Sequence, residues 1–345
     1  RLITRVAGEI RQPPVFGKVL RTMLQDNFGR RFRYLRLSLT DVCNFRCNYC
    51  LPDGYQCDQN RDFLKLDEIK RLASAFSQLG TEKIRITGGE PSLRKDLPEI
   101  IAACKQTPGI KKVALTSNGF KLPEHLPQWL DAGIDAINIS LDSLDPRKFH
   151  TITGHDKLEK VMTGIDMALA DGRAKVKVNT VLMREYNAYD MQSYLDWLKD
   201  TPVTLRFIEL MQTGDNQEFF DAQHVKGSRI KQQLILDGWL PAIRDKSAGP
   251  AQEFYHPDYQ GRIGLIMPYS KDFCNSCNRL RVSSLGKLHL CLFGDQGLSL
   301  KEYLQQDDLE PLKHQIVSLL GDKKATHFLQ DKITGATKHL AMLGG

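Results

Sequence analysis

Tyr34-Leu35-Arg36-Leu37-Ser38-Leu39-Thr40-Asp41-Val42-Cys43-Asn44-Phe45-Arg46-Cys47-Asn48-Tyr49-Cys50 runs from a β-rich segment straight into three cysteines at C-x3-C-x2-C spacing. The segment Tyr34–Thr40 is the first of six of its kind. The others are Lys83–Thr87, Lys112–Thr116, Ala136–Leu141, Lys175–Leu182 and Thr204–Leu210. Each is a short run of Ile, Val, Leu or Phe bounded by turn residues, the signature of a strand. Between them lie stretches with helical spacing of apolar residues, such as Leu66–Leu79, Leu97–Lys105, Leu158–Ala170 and Tyr189–Lys199. Strands alternating with helices predict a parallel sheet. Six units are two short of a full eight-fold barrel, so the expected fold is α/β, a partial (βα)6 TIM-type barrel with an open side. Chemistry in such barrels sits at the C-terminal ends of the strands. The unusual residues fall there: the cysteine loop, Gly88-Gly89-Glu90-Pro91, Thr116-Ser117-Asn118-Gly119, Ser140-Leu141-Asp142-Ser143, Asn179 and Glu209–Met211.

The chain of 345 residues is 41% hydrophobic and 26% charged, ordinary for a soluble globular protein. Its net charge of +7 suits an anionic ligand. No basic arm or aromatic-interleaved basic stripe marks a nucleic-acid surface, and no apolar run approaches the ~20 residues of a membrane span. Residues 1–27 read as a disordered or upstream extension, with Met23 as the suspected start. Residues 28–215 read as the barrel. Residues 216–345, opening on a polar stretch with Gly249-Pro250 and His256-Pro257, read as a C-terminal region ending in Gly344-Gly345.

Six of the eight cysteines form two trios, Cys43/Cys47/Cys50 and Cys274/Cys277/Cys291, the second spaced C-x2-C-x13-C. Trios make a poor disulfide framework, which points to metal or cluster binding in a reducing cytoplasm. Thiolates are the usual ligands of iron–sulfur clusters. Three of them leave one corner of a [4Fe–4S] cube open for a small molecule. Structural zinc prefers four closed ligands. Cys57 near the first trio and His289 near the second keep zinc open as an alternative. Cys57 and Cys104 receive no role. Arg279 and Arg281 lie beside the second trio, where guanidinium forks match phosphate oxygens.

The first trio, its position after the first strand, the aromatic Tyr49 before its third cysteine and the Gly88-Gly89-Glu90-Pro91 turn resemble the radical S-adenosylmethionine (radical SAM) superfamily. The runs Leu35–Cys43, Arg85–Gly89, Thr116–Gly119, Lys175–Asn179 and Phe273–Arg281, with the terminal Gly-Gly, narrow the resemblance to the GTP 3′,8-cyclase family over about 28–345. That resemblance implies a lyase in which a 5′-deoxyadenosyl radical takes H3′ of GTP and the C3′ radical attacks guanine C8, the first step of molybdenum-cofactor synthesis. It implies two [4Fe–4S] clusters, held by Cys43, Cys47 and Cys50 and by Cys274, Cys277 and Cys291. Tyr49, Gly89, Ser140 and Met211 would line the S-adenosylmethionine (SAM) site. Arg36, Arg85, Thr116, Lys177, Arg279, Leu280 and Arg281 would contact GTP, with Arg279 and Arg281 also serving the reaction. Glu90 reads as an acceptor for the ammonium group of SAM. The Gly-Gly tail would meet an arginine near the substrate; a frayed terminus is the plainer alternative. Implied partners are a reductase or flavodoxin-type electron donor and a downstream cyclic pyranopterin monophosphate synthase, and a homodimer is admitted. A radical SAM enzyme acting on a peptide is the rival reading.

Overall fold

The computed structural model describes residues 23–56, 61–243 and 248–344. Cys57 and residues 1–22 of the expected extension lie outside them. Residues 23–27 pack against the body: Leu24 is buried, and the buried Asp26 carboxylate accepts Arg30 Nε at 2.6 Å.

The first six strands are β1 (Tyr34–Ser38), β2 (Lys83–Thr87), β3 (Lys112–Ser117), β4 (Ala136–Ser140), β5 (Lys175–Leu182) and β6 (Thr204–Glu209). After them come β7 (Leu240–Pro241), β8 (Gln252–Tyr255), β9 (Arg262–Ile266), β10 (Arg279–Val282), β11 (Lys287–His289) and β12 (Leu298–Ser299). Helices α1 (Leu66–Gln78), α2 (Leu97–Gln106), α3 (Leu122–Asp131), α4 (Pro146–Thr153), α5 (Leu158–Asp171) and α6 (Met191–Asp200) fall between the first six strands. Three more, α7 (Gln217–Gln223), α8 (Gly227–Leu236) and α9 (Glu310–Leu320), belong to the second half.

All twelve strands form one sheet, ordered β12-β11-β10-β1-β2-β3-β4-β5-β6-β9-β8-β7. Strands β1 to β6 pair in parallel and in sequence, as βα alternation dictates. The second half does not stand apart. It lays β10 parallel on β1 and β9 parallel on β6, extending the partial barrel by one strand at each edge. These late strands are two to five residues long, too short for periodicity in the sequence to show them. Helix α3, the helical stretch that Gly133 follows, carries Pro123 in its first turn and Pro127 inside and still buries Leu122, Leu126, Trp129 and Leu130.

Successive strand residues face opposite sides of a sheet. Leu35, Leu37, Ile84, Ile86, Val176, Val178, Leu205, Phe207 and Leu280 face outward and join the helices in one apolar core. The alternate residues are polar: Arg36 and Ser38, Arg85 and Thr87, Asn138 and Ser140, Lys177 and Asn179, Arg206, then Arg279 and Arg281. Branched apolar side chains fill the inside of an ordinary eight-stranded barrel. Cationic side chains cannot pack that way, and the barrel is hollow. A cavity of about 760 Å³ touches residues of β1 to β6 and of β8, β9 and β10.

Candidate active site

Strand register assembles the cations. Arg36 lies opposite Arg281 on β10 and opposite Arg85 on β2, so three guanidinium side chains stand in one row facing the cavity. Arg279 and Tyr34 pair one layer below. Lys177 on β5 and Arg206 on β6 close the row from the far side. Burial, followed by the neighbouring Arg85, brings Arg36 down to about 10, and burial with the same neighbour does the same to Arg206. Burial also carries Arg281 well below its ordinary value, with Arg36 and Arg279 adding to the effect. Lys83 falls to about 8, chiefly by burial. Burial alone would raise the Tyr34 phenol, yet Arg85, Arg36 and Lys83 pull it well below its usual range. A crowd of cations that mutually disfavour their charge is suited to bind an anion.

Some of these groups have partial partners. Arg85 donates through Nε to Tyr34 and through Nη1 to Thr116 Oγ1 at 3.1 Å. Lys177 Nζ meets Glu253 Oε1 at 2.6 Å. Others have none: Arg206 Nε and Nη2, Asn138 Oδ1 and Asn179 Oδ1 are buried without a hydrogen bond, and all three residues line the cavity. Buried polar atoms are nearly always paired, so their state fits a polar ligand that fills the space.

The first cysteine loop is pinned from two sides. Phe45 packs edge-on to Phe120 and Phe149, each at 6.2 Å, and stacks on His155 at 5.0 Å. Arg46 N and Asn48 N donate to Thr153 and Ile152 carbonyls at 3.2 and 2.9 Å, the end of α4. Burial pushes the Cys43 thiol up to about 11, Cys50 to about 12, and Cys47 well above its usual value, with Asp142 adding to Cys47. Thiolates there require a bound cation, which iron supplies. Both side-chain atoms of Asn48, beside Cys47, are buried without a partner, again fitting an absent polar group. The second trio sits among cations. Burial raises Cys274, but hydrogen bonds from His327 and Thr326 outweigh it and bring the thiol down to about 7. Arg279 and Lys323 lower Cys277 against the effect of its burial. Arg30 Nη1 bonds the Cys274 carbonyl at 3.2 Å and the Ala325 carbonyl at 2.7 Å, tying the amino-terminal segment to this loop.

Among the described residues no three His, Cys, Asp or Glu side chains converge as a single ion requires. A four-iron cube needs ligands at its corners rather than at one point. Cys104 is buried in α2 and packs in the core, away from both trios.

The expected SAM residues lie along one rim. Tyr49 and Met211 pack with Cys50 against Leu292, Phe293, Leu340 and Leu343, and Tyr49 Oη donates to Asp142 Oδ2 at 2.9 Å. Ser140 ends β4 at the same edge. Gly89 also has a packing role. A Cβ there would lie 2.3 Å from the Val42 carbonyl, and one on Gly88 would lie 2.3 Å from the Thr40 carbonyl. The glycine pair therefore lets β2 press against the lead-in to the cysteine loop, where Gly89 N and Glu90 N donate to Thr40 and Val42 at 2.8 Å. Only the main chain of Gly89 remains for a cofactor. Glu90, read from sequence as an ammonium acceptor, is a strut: its carboxylate takes Ser92 N, Ser117 Oγ and Asn118 N at 3.0, 2.8 and 2.7 Å and is fully buried. Gly89→Ala is expected to cost ~1–3 kcal/mol and to strip iron from the first trio. Iron and sulfide assayed per chain check this, and full retention would show that the contact tolerates a methyl group.

Two expected GTP residues stand off the cavity wall. Leu280 faces outward, 1% exposed and packed in the core, because it alternates with Arg279 and Arg281. Thr116 meets Arg85 rather than lining the cavity. Residues the sequence reading missed include Arg206, Lys83, Tyr34, Glu253 and His327. Period-two alternation along β6 was a usable signal for Arg206. For His327, far along the chain in a loop, there was none.

The tail is ordered as far as Gly344, and Gly345 is outside the described residues. Leu340 and Leu343 belong to the buried cluster against which Cys50 and Cys291, members of different trios, pack. The Gly344 carbonyl accepts from Arg36 Nη2 and, at 3.1 Å, from Arg281 Nη1. A side chain on Gly344 would collide with Thr87.

Comparison with known proteins agrees with this geometry. Residues 37–198 match the radical SAM superfamily and residues 203–329 match Molybdenum Cofactor Synthesis C. The GTP 3′,8-cyclase of Psychromonas ingrahamii is 56% identical over 336 residues, 96% of this chain and 99% of the relative. That of Pectobacterium atrosepticum is 57% identical over 327 residues, 94% and 99% of the two chains. Among solved structures, Streptococcus suis SuiB bound to S-adenosylmethionine aligns with a TM-score of 0.59 at 12% identity, covering 83% of this chain and 68% of its own, a likeness of fold. With identity above half along almost its whole length, the chain belongs to the GTP 3′,8-cyclase family of the radical SAM superfamily.

Proposed function

We infer that the chain is a lyase that joins C3′ of the ribose of GTP to C8 of its guanine, giving (8S)-3′,8-cyclo-7,8-dihydroguanosine 5′-triphosphate, the opening step of molybdenum-cofactor synthesis. The carrying observation is the in-register row Arg36, Arg85 and Arg281 in a cavity that also reaches Cys274, Cys277 and Cys291. When bound, SAM on the first [4Fe–4S] cluster supplies a 5′-deoxyadenosyl radical able to take hydrogen from C3′, and the second cluster supplies an open iron able to take the guanine base. Cys43, Cys47 and Cys50 hold the first cluster; Cys274, Cys277 and Cys291 hold the second. Tyr49, Ser140, Met211 and the Gly89 main chain line the SAM site. Arg36, Arg85, Lys177, Arg279 and Arg281 grip the triphosphate, joined by Arg206 and Lys83. Thr116 orients Arg85, and Leu280 keeps the two flanking arginines facing inward.

Holding two atoms of one molecule at attack distance removes several kcal/mol from the barrier. The apolar patch of Leu292, Phe293, Leu340 and Leu343 keeps water from the space between the trios. Residues 28–215 form the SAM-bearing part, and 216–345 bring the second cluster and much of the nucleotide grip. No described helix is long and apolar enough to cross a membrane. We place the enzyme in the reducing cytoplasm, fed by a reductase or flavodoxin-type donor. Its product passes to a cyclic pyranopterin monophosphate synthase.

The test is anaerobic reconstitution with iron and sulfide, then incubation with GTP, SAM and a strong reductant. Mass spectrometry is expected to find the cyclised triphosphate with 5′-deoxyadenosine, and no cyclised product from ATP. Zinc in place of iron and sulfide, or 5′-deoxyadenosine without any change in GTP, overturns the reading.

A further inference from the structure

The cavity that holds the arginine row is not confined to the C-terminal face. It reaches Cys274 and Cys277, which precede β10, and Cys291, and extends across to Lys112, Lys175 and Arg262. These three are the first residues of β3, β5 and β9, and all are exposed. The cavity therefore reaches solvent at the N-terminal ends of the strands, opposite the face where barrel enzymes usually take their substrates. Asp135 also lines this end, but its carboxylate is held by Lys105 Nζ at 2.6 Å and by Val113 N at 2.7 Å.

The C-terminal face is filled. Leu340 and Leu343 pack with Tyr49, Cys50, Met211 and Cys291, and the Gly344 carbonyl sits on Arg36 and Arg281. A nucleotide coming from that side would have to pass the packed tail and the SAM site, whereas on either route its phosphates replace the Gly344 carbonyl on Arg36 and Arg281. From the other side it would meet Lys112, Lys175 and Arg262 among apolar lining residues such as Ile235 and Ile243, with the Asp135 carboxylate already held. We propose that the nucleoside triphosphate enters the barrel through its N-terminal mouth, steered by Lys112, Lys175 and Arg262. Inside, the base meets the second trio beside the N-terminal end of β10 and the triphosphate comes to rest on the arginine row. SAM and nucleotide use separate doors, and neither has to bind first.

This route rests on the GTP reading above, and its test separates the two. Association of N-methylanthraniloyl-GTP with the anaerobically reconstituted holoenzyme is followed by stopped flow at low and high ionic strength. Steering by like-signed rims is worth about tenfold or more in association rate and weakens with salt. The triple variant K112E/K175E/R262E is expected to lose about that much at low salt, with a flattened salt dependence. Its dissociation rate, its single-turnover rate at saturating GTP and its SAM association stay as in the unaltered protein. The neutral variant K112Q/K175Q/R262Q falls between, which guards against misfolding by charge reversal. Unchanged association and salt slope in both variants overturn the route. A loss carried by faster dissociation overturns it too, since the residues would then be direct ligands. If the unaltered holoenzyme fails to bind the nucleotide at all, the GTP reading fails instead.

Discussion

Changing Cys274 to Ser is expected to abolish the cyclised nucleotide while SAM cleavage continues. The two trios occupy different surroundings, so the loss of one thiol need not disturb the other loop. The first is anchored by Phe45 among Phe120, Phe149 and His155, and by α4. None of these touches the second loop, which rests on Arg30, His327 and Lys323. A hydroxyl in place of the Cys274 thiol keeps the size but is a poor iron ligand, since clusters are held by thiolates. About four irons per chain should remain where the unaltered protein holds about eight. The variant should still form 5′-deoxyadenosine from SAM under reductant. With the base no longer held, C8 and C3′ lose their alignment, and a loss of 10³ or more in product formation is the expected scale. Normal product yield with half the iron would remove the second cluster from substrate binding. Cys47→Ser is the counterpart: there SAM cleavage itself should vanish.

The barrel was readable in the sequence because its strands are bounded by turns and its helices have amphipathic spacing. Both trios were readable because ligand spacing is local. Three things were not. Strands β9 and β10, which flank the first six, are short, and which strand β9 joins depends on a chain return of more than fifty residues after β6. The role of Gly88 and Gly89 was visible only as permissiveness; what presses on them is the Thr40–Val42 backbone, forty-odd residues earlier. Glu90 illustrates the limit of reading a side chain by its chemistry. A carboxylate beside a cofactor loop suits an ammonium ligand, yet three donors from the chain also hold it, two on Oε1 and one on Oε2. Leu280 shows the converse: a family motif written as three consecutive residues becomes, on a strand, two inward arginines and one core leucine.

Arg281→Ala is expected to weaken GTP binding by one to two orders of magnitude and yet leave the free protein at least as stable. The two effects share one cause. Arg281 is buried beside Arg36, and Arg36 beside Arg85, with no carboxylate in the row. In the free protein the Arg281 guanidinium is offset only in part, by the Leu343 and Gly344 carbonyls at 3.2 and 3.1 Å. Deleting it relieves repulsion, which balances the lost packing. In the complex it would make charge-assisted bonds to phosphate, each worth ~1.5–3 kcal/mol. Arg281→Lys distinguishes charge from shape. Lysine restores a point charge but cannot present a bidentate fork, so it should recover only part of the affinity. Calorimetric titration with GTP, paired with thermal melts of the nucleotide-free holoenzyme, measures both. Wild-type affinity in Arg281→Ala would make the arginine a tail anchor alone. A lowered melting point together with weak binding would mean that the loss is one of folding, and the row would then be holding the tail rather than waiting for an anion.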